Sequence, residues 1–411
     1  MNSAAAPTAQ GGIYYGWWAI VPAAFVILLV TNGLTVGGIA AFDPALITQL
    51  GVTRGAIKVG DAIQLGVTSL LTLLTGKLVD RYGYRRVMLV GVAALLWGFY
   101  SLGLVASIQD YYWSRAWMGL GLACAGMAIC MVAVSRWFVA SRGLALGIVL
   151  AGTSFGNGFM PSIFTALITS YGWRDASLFT LALLAVVPLL VWGLMREWPA
   201  SIGVKSLGAA TDAIASAAMG EDLSYLQIIR RREFWLLGTA AFCTFYAFLG
   251  INNNMILHMM QLGQPQTAGA AMLIPLFLAG LTGKVFAGWL SDRLGRRTVW
   301  LVCLALMLCG ALALATLQTA LIAPAAIVLG LGWGANYTLL QAVTGDVFGA
   351  RSLGRVMGAI TVLDAGGGAL GPWITAELSD LSGNYRNGFI LICGLVALAT
   401  VCASALKLRK L

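Results

Sequence analysis

The chain has 411 residues, of which 60% are hydrophobic and 10% are charged, and its formal net charge is +10. A soluble protein of this length needs far more charged residues to cover its surface, so the composition excludes a soluble globular protein. The basic residues lie in short segments between apolar runs, where they orient membrane helices. This placement argues against nucleic-acid binding.

Apolar runs of about 20 residues, the length of a helix that crosses the hydrocarbon layer of a bilayer, recur along the whole chain. We predict an all-α membrane protein with twelve transmembrane helices in two pseudo-symmetric six-helix bundles. The bundles cover residues 1–200 and 233–411, and residues 201–232 are a cytoplasmic linker between them. The predicted spans are 18–42, 56–78, 86–106, 111–135, 143–168, 176–195, 233–258, 268–290, 298–317, 319–343, 353–379 and 385–407.

A phrase that occurs twice indicates that the two halves are homologous. Residues 76–86 (GKLVDRYGYRR) return 212 residues later as residues 288–297 (GWLSDRLGRR), and both copies end one apolar run and begin the next. A repeat of this period in membrane-spanning sequence is typical of transporters that are built from two facing halves.

The distribution of basic residues predicts the orientation of the chain. If both termini are cytoplasmic, 19 lysines and arginines lie on that side and 5 on the other, and Lys284 lies inside the membrane. Positive residues concentrate on the cytoplasmic side of membrane proteins. We therefore expect a multi-pass protein of the cell inner membrane with both termini in the cytoplasm.

The two phrases resemble the loops after spans two and eight of the major facilitator superfamily, and the resemblance covers the whole chain. In that family these loops help to lock the inward-closed state. A carboxylate is stabilised by the N-terminus of a nearby helix, and a gate needs contacts that exist in one state only. The resemblance implies an inner gate formed by Asp80, Arg81, Arg85, Asp292, Arg293 and Arg296.

Two further segments, residues 135–147 (SRWFVASRGLALG) and 14–18 (YYGWW), are similar to the monocarboxylate and oxalate/formate transporter branch of this superfamily. The chain departs from that branch inside the membrane. Gly280 and Lys284 stand where the monocarboxylate carriers have an aspartate and an arginine in span eight. Asp364 stands in span eleven where the oxalate/formate exchangers have a cation. The resemblance implies carboxylate transport. The departures bear on which substrate is carried and not on the fold.

Lys284 and Asp364 are ionisable residues within predicted spans. A charged side chain there costs a few kcal/mol unless it is paired or hydrated, which marks a candidate functional site. At about 1.5 Å per residue, both lie roughly 10–15 Å from the cytoplasmic face, at heights that would allow a salt bridge. Such a site suits a monoanion carried with a proton, with the carboxylate at Lys284 and the proton at Asp364. A static structural pair, or a lysine that snorkels to the interface, is the alternative.

Other polar residues in the spans extend the candidate site. The three consecutive asparagines of span seven predict a broken or unwound outer end that lines a cavity. Lys58 and Asp61 are predicted to form a local ion pair at the outer surface. Hydrogen bonding between helices is the alternative explanation for any single polar residue. The predicted substrate-binding residues are Lys284, Asn32, Tyr246, Asn252, Asn253, Asn336, Tyr337 and Arg115, and the predicted proton-coupling residues are Asp364 and His258, the latter near the outer interface.

These features predict a secondary active transporter that moves a small organic anion, a monocarboxylate with a proton, by alternating access. An exporter of drugs or metabolites, or an importer of a siderophore-like or other organic solute, is the alternative on the same fold. An enzyme is not expected, because one histidine and scattered acids supply no catalytic cluster. We expect no cofactor and no metal, a small-molecule substrate and membrane lipid as partners, no nucleic acid, and a monomer.

Overall fold

The computed structural model describes residues 14–138, 141–204, 206–207 and 223–406, and of residues 142, 288, 292, 350, 351, 353 and 354 only the backbone is described. Eleven segments within these ranges are helical, long and apolar enough to cross a membrane. They are α1 (Gly16–Ala41), α2 (Arg54–Tyr82), α3 (Tyr84–Gly103), α4 (Ile108–Trp137), α5 (Gly143–Tyr171), α6 (Trp173–Gly193), α7 (Arg232–Gln261), α8 (Gln266–Ser291), α9 (Arg296–Ala315), α10 (Thr319–Phe348) and, at the end of the chain, α12 (Arg386–Ala405).

A further long helix, α11 (Ala350–Ser382), packs along α2 and α7 and completes the twelve predicted spans. The all-α membrane fold predicted from the sequence is therefore confirmed. The division of the chain at residues 200 and 233 stays a prediction. One expectation about a span is wrong: α7 is a continuous helix through Asn252, Asn253 and Asn254. It does not unwind, because the three amides find hydrogen-bond partners in neighbouring side chains and helices.

The twin phrases adopt the same turn. Gly83 and Gly295 have φ angles of 82° and 86°, a region that glycine enters more readily than other residues, and each lets a helix reverse directly into the next. In the first half, Arg85 donates a hydrogen bond to the carbonyl oxygen of Trp192 at the end of α6. In the second half, Arg297 donates to the carbonyl oxygen of Ser404 at the end of α12. The two donors are 212 positions apart in the sequence, and so are the two acceptors. The halves therefore share this contact as well as the sequence phrase.

The two ends of the helices are named here by their neighbours. The linker face carries residues 195–204 and the turns at Gly83 and Gly295, and the far face carries residues 50–54 and 382–386. The first half joins the second mainly where α2 packs on α11 and α5 packs on α8.

The contact between α2 and α11 is closest at the far face. A Cβ atom at Gly55 would touch Glu377, and one at Gly368 would touch Leu65. Nearer the linker face, at Gly76 of α2, a Cβ atom would meet nothing within 4 Å among the described atoms. The two halves therefore converge at the far face and separate toward the linker face.

Gly295→Ala tests whether the shared turn constrains the fold. A methyl group at this position meets no atom within 4 Å, so only the positive φ angle opposes it. Backbone strain of this kind costs about 1–3 kcal/mol. We expect the variant to unfold at a temperature several degrees lower than the parent protein in detergent, measured by tryptophan fluorescence. The matched control is Gly358→Ala, which has open space but lies inside α11. Equal unfolding temperatures for the two variants would contradict the argument.

Candidate functional site

Lys284 lies at the junction of the two halves, deep in α8. Its Nζ donates a hydrogen bond of 3.2 Å to Oγ of Ser154, a buried residue of α5 in the other half. The lysine is half-buried, seven residues before the end of α8 at Ser291. Within the described part of the chain, no carboxylate lies within ion-pair distance of Lys284, so the salt bridge to Asp364 that their heights would allow does not form.

Two crossing helices bring further polar groups to the height of Lys284. The backbones of α8 and α10 touch at Gly280 and Gly334, because neither residue has a side chain to separate them. Lys284 follows Gly280 by one turn, and Tyr337 follows Gly334 by about one turn, so both lie on the linker-face side of this crossing. Asp364 of α11 is only 5% exposed and acts electrostatically on Tyr337, which lies beside Gln341. We call Lys284, Ser154, Tyr337, Gln341 and Asp364 the central site.

The remaining candidates of the central helices have different surroundings. Asn32 of α1 is half-buried, and its side-chain nitrogen has no hydrogen-bond partner among the described atoms. The carbonyl oxygen of Asn336 accepts a hydrogen bond of 2.7 Å from Trp300, so this side chain faces α9. Tyr246 is buried where the backbone of α7 approaches Gly371 of α11. Each of the three therefore keeps a buried polar atom without a hydrogen-bond partner in the described structure, namely the amide nitrogens of Asn32 and Asn336 and the hydroxyl of Tyr246.

Four charged residues form a second cluster nearer the far face, which we call the charge network: Asp43, Lys58, Asp61 and Arg115. Lys58 contacts both aspartates, Arg115 contacts Asp61, and none of the four is more than 8% exposed. The expected surface pair of Lys58 and Asp61 is therefore buried. Two cations and two carboxylates neutralise one another, which is the condition for burying charge. Arg115, predicted to bind substrate, is occupied by Asp61.

Asparagines of α7 connect the charge network to the other half. Asn253 donates a hydrogen bond of 3.0 Å to Asp61, and Asn252 donates one of 2.7 Å to the side chain of Asn253. Asn254 instead donates to the carbonyl oxygen of Pro372 in α11. Asn252 and Asn253, predicted to bind substrate, therefore hold the two halves together near the far face.

His258 lies three residues before the end of α7 and is enclosed by protein. Its side chain is fully buried, with its ring edge-on to Tyr385 and Phe389 at centroid distances of 5.5 and 4.9 Å. Neither ring nitrogen has a hydrogen-bond partner in the described structure. Its position near the outer interface and its role in proton coupling stay predictions, and within the protein aromatic side chains of α12 and of the turn before it cover the ring.

Backbone and side-chain contacts close the far face between the halves. The carboxylate of Asp380, at the end of α11, accepts a hydrogen bond of 2.7 Å from the amide of Gly55 in the first turn of α2. Arg54 donates to Ser379, and Gln266 donates to the carbonyl oxygen of Ala41. A carboxylate at a helix N-terminus is favoured by the helix dipole, so Asp380 acts as a cap supplied by the other half.

The predicted inner-gate residues make contacts within their own halves. Arg85 caps the end of α6, and Arg296 contacts Asp346 and the carbonyl oxygen of Ala342. The guanidinium groups of Arg81 and Arg293 lie over the neighbouring rings of Tyr82 and Trp289. The remaining two are Asp80, which is exposed, and Asp292, whose side chain lies outside the described residues. The gate stays a prediction, because its contacts are expected only when the linker face closes.

The sequence matches the family model of the Major Facilitator Superfamily over residues 23–372 and 254–410. The chain belongs to the major facilitator superfamily. It is a multi-pass membrane transporter of small molecules, and the resemblance noted from the sequence is confirmed. Members of this superfamily are transporters and not enzymes.

Relatives in the superfamily are similar over nearly their whole length. The oxalate:formate antiporter of Oxalobacter formigenes is 26% identical over 386 residues, which cover 89% of this chain and 87% of the relative. Monocarboxylate transporter 11 of Mus musculus is 28% identical, with 92% of this chain and 84% of the relative covered. Among solved structures, a bacterial homologue of the human lysosomal transporter Spinster, described as inward-facing and unoccupied, superimposes with a TM-score of 0.74. That alignment covers 96% of both chains at 16% identity, so the structural comparison supports the fold alone.

Several important residues were not among the sequence candidates. Ser154 lies in the stretch 152–161, which matches a known exporter motif only in part, and its contact with Lys284 depends on how the halves dock. Asp380 ends α11 and Asp43 follows α1, so both look like ordinary helix-end acids in the sequence. What distinguishes them is a donor on another helix, the amide of Gly55 for Asp380 and the ammonium group of Lys58 for Asp43. These contacts are visible only in the folded structure.

Asp380→Ala tests the contact that closes the far face. Loss of the carboxylate leaves the Gly55 amide without its acceptor, so we expect faster hydrogen–deuterium exchange both in residues 54–57 and in residues 378–386. The matched control is Asp110→Ala, which removes a cap that serves the N-terminus of α4 within one half. It should raise exchange around residues 106–111 only. Faster exchange confined to residue 380 and its neighbours would contradict the account.

Arg115→Met tests the charge network. Removing one partner of a buried charged cluster typically costs about 3–5 kcal/mol. We expect a large fall in the unfolding temperature. The double variant Arg115→Met with Asp61→Asn should recover part of this loss, because the carboxylate that lost its partner is also neutralised. If the two substitutions lower stability additively, Asp61 and Arg115 are not coupled and the network is wrongly described.

Proposed function

We propose that this protein is a secondary active transporter that moves a small organic monocarboxylate together with a proton by alternating access. The observation that carries the proposal is the state of Lys284. It is the one cation in the interior of the described spans that has no carboxylate partner, since Lys58 and Arg115 are both paired. A substrate carboxylate would supply the missing negative charge.

The energetics of the membrane interior favour this role. An unpaired charge there costs several kcal/mol, and a serine hydroxyl offsets only a fraction of that amount. An anion bound at Lys284 would be stabilised by a charge-assisted hydrogen bond in a medium of low dielectric constant. Because Ser154 belongs to the first half and Lys284 to the second, the anion would lie between the two bodies that move in alternating access.

Asp364 is proposed as the proton-coupling residue. It is buried in α11, near Tyr337, and has no cationic partner in the described chain. When a monoanion neutralises Lys284, an ionised Asp364 would remain as an uncompensated negative charge. Protonation of Asp364 removes that charge, so binding of the anion and binding of the proton favour each other. The loaded and the empty central site are then both neutral.

The orientation follows from the positive-inside rule and is part of the proposal. With the linker face in the cytoplasm of a cell whose inner membrane holds the protein, the far-face contacts close the outside. The separation of α2 from α11 then opens toward the cytoplasm. The inner gate of Asp80, Arg81, Arg85, Asp292, Arg293 and Arg296 would form after the opposite transition. The names of the relatives, which refer to oxalate, formate and monocarboxylates, support a carboxylate cargo.

Uptake of radiolabelled acetate and phenylacetate into liposomes that contain the purified protein tests the proposal. Under an imposed pH gradient, we expect accumulation that protein-free liposomes, which measure passive diffusion of the acid, do not show. Lys284→Gln should reduce the protein-dependent rate at least about tenfold, and Lys284→Arg should retain part of it because the positive charge remains. Arg386→Gln, which removes an exposed positive charge at the far face, is the control and should transport at the parental rate.

Asp364→Asn separates the two parts of the proposal. The variant should still exchange internal for external carboxylate, but it should lose accumulation driven by the pH gradient. Full accumulation by Asp364→Asn would show that another group carries the proton. Unchanged transport by Lys284→Gln would refute the anion site. Stabilisation of the purified protein by lipophilic cations and by no carboxylate would favour the drug-exporter alternative.

A further inference from the structure

An aromatic wall lies beside the central site in the second half. It is formed by Phe245 and Phe248 of α7, Phe277 of α8, and Trp333 and Tyr337 of α10. Trp333 and Phe248 are stacked with an interplanar angle of 6° and a centroid distance of 4.2 Å. Tyr337 continues the stack at 6.2 Å from Trp333, and Phe245 stands edge-on to both. The wall begins at the height of Lys284 and extends from there toward the far face.

Three rings of this wall are only partly covered by protein. Phe245, Trp333 and Tyr337 are half-buried, whereas Phe248 and Phe277 are buried behind them. Helix α10 is packed against α7, α8, α9 and α11, so the uncovered parts of its rings cannot face lipid on those sides. They face the space between the two halves, where the lysine also points.

The first half places an apolar surface across from this wall. Phe155 follows Ser154, the partner of Lys284, and its ring contacts that of Phe25 in α1 at a centroid distance of 6.1 Å. Gly158, one turn further along α5, lies against Phe277. A solute whose charged group lies at Lys284 would have the aromatic wall on the side of the second half and Phe155, next to Ser154, on the side of the first half.

We propose that the cargo is an aromatic monocarboxylate, whose carboxylate binds Lys284 and whose ring packs against Trp333 and Tyr337. The inference rests on the proposed function and narrows its substrate class. Offset stacking and edge-to-face contacts contribute about 0.5–1.5 kcal/mol per ring pair beyond the area buried. A short aliphatic acid bound at Lys284 would reach only the Tyr337 end of the wall and would leave Trp333 without a contact.

Binding of four probes to the purified full-length protein tests the inference. Phenylacetate has the ring and the carboxylate, acetate has the carboxylate alone, cyclohexylacetate has a saturated ring of similar size, and benzyl alcohol has the ring without the charge. We expect phenylacetate to bind at least about tenfold more tightly than acetate, cyclohexylacetate to lie between them, and benzyl alcohol to bind weakly. This series uses the unaltered protein and so does not depend on the folding of any variant.

Variants then assign the preference to the wall. Trp333→Leu should weaken phenylacetate binding about tenfold and leave acetate binding unchanged. Trp97→Leu, which removes an exposed tryptophan of α3, should change neither. Lys284→Gln should abolish the binding of both acids.

The outcomes separate the inference from the proposed function. If acetate and phenylacetate bind equally tightly, or if Trp333→Leu weakens both to the same extent, the aromatic cargo is wrong while the carboxylate site stands. If no carboxylate binds, or if Lys284→Gln binds both acids normally, the proposed function itself fails.

Discussion

A charge in the interior of a membrane must be neutralised, and the architecture of this transporter follows from how it meets that constraint. In the charge network, two cations and two carboxylates from three segments of the first half compensate one another, and Asn253 of the second half completes the set. At Lys284 the protein supplies only a hydroxyl group. The same physical requirement therefore produces a closed structural cluster near one face and an open binding site at the centre.

The pseudo-symmetry of the chain explains where this difference can arise. The twin phrases form the same turn, with the same positive φ angle at glycine and the same arginine contact to the end of a later helix. The helix before the first phrase has Thr72 at the position that corresponds to Lys284, and its hydroxyl donates a hydrogen bond to a carbonyl oxygen of its own helix. The shared residues maintain two similar halves, and the lysine present in one of them creates the chemical asymmetry of the site.

The closed far face has a simple electrostatic basis. Asp380 of the second half places its carboxylate at the N-terminus of α2, which belongs to the first half. Each of the contacts there is a single hydrogen bond between side chain and backbone or between two side chains. Contacts of this strength can exchange for others without a large net change in free energy, which a reversible transition between two conformations requires.

Much of the fold could be predicted from the sequence, because span length, charge distribution and the repeat act locally or along the chain. Lys284 was identifiable for the same reason, as a charge within an apolar run. The partners were not predictable. The burial of Lys58 and Asp61 depends on Asp43, which follows α1, and on Arg115 of α4, and the intact α7 depends on acceptors in α2 and α11. Whether Lys284 and Asp364 pair could not be predicted, because similar height along two helices does not by itself bring two side chains together.

The most direct measurement is a structure of the protein bound to 4-bromophenylacetate, in which the anomalous signal of bromine locates the ring. The account predicts a carboxylate within hydrogen-bond distance of Lys284 Nζ and the bromine beside Trp333, on the side of the first half. A ligand bound elsewhere, with Lys284 still bonded only to Ser154, would contradict the claim that this lysine is the anion site.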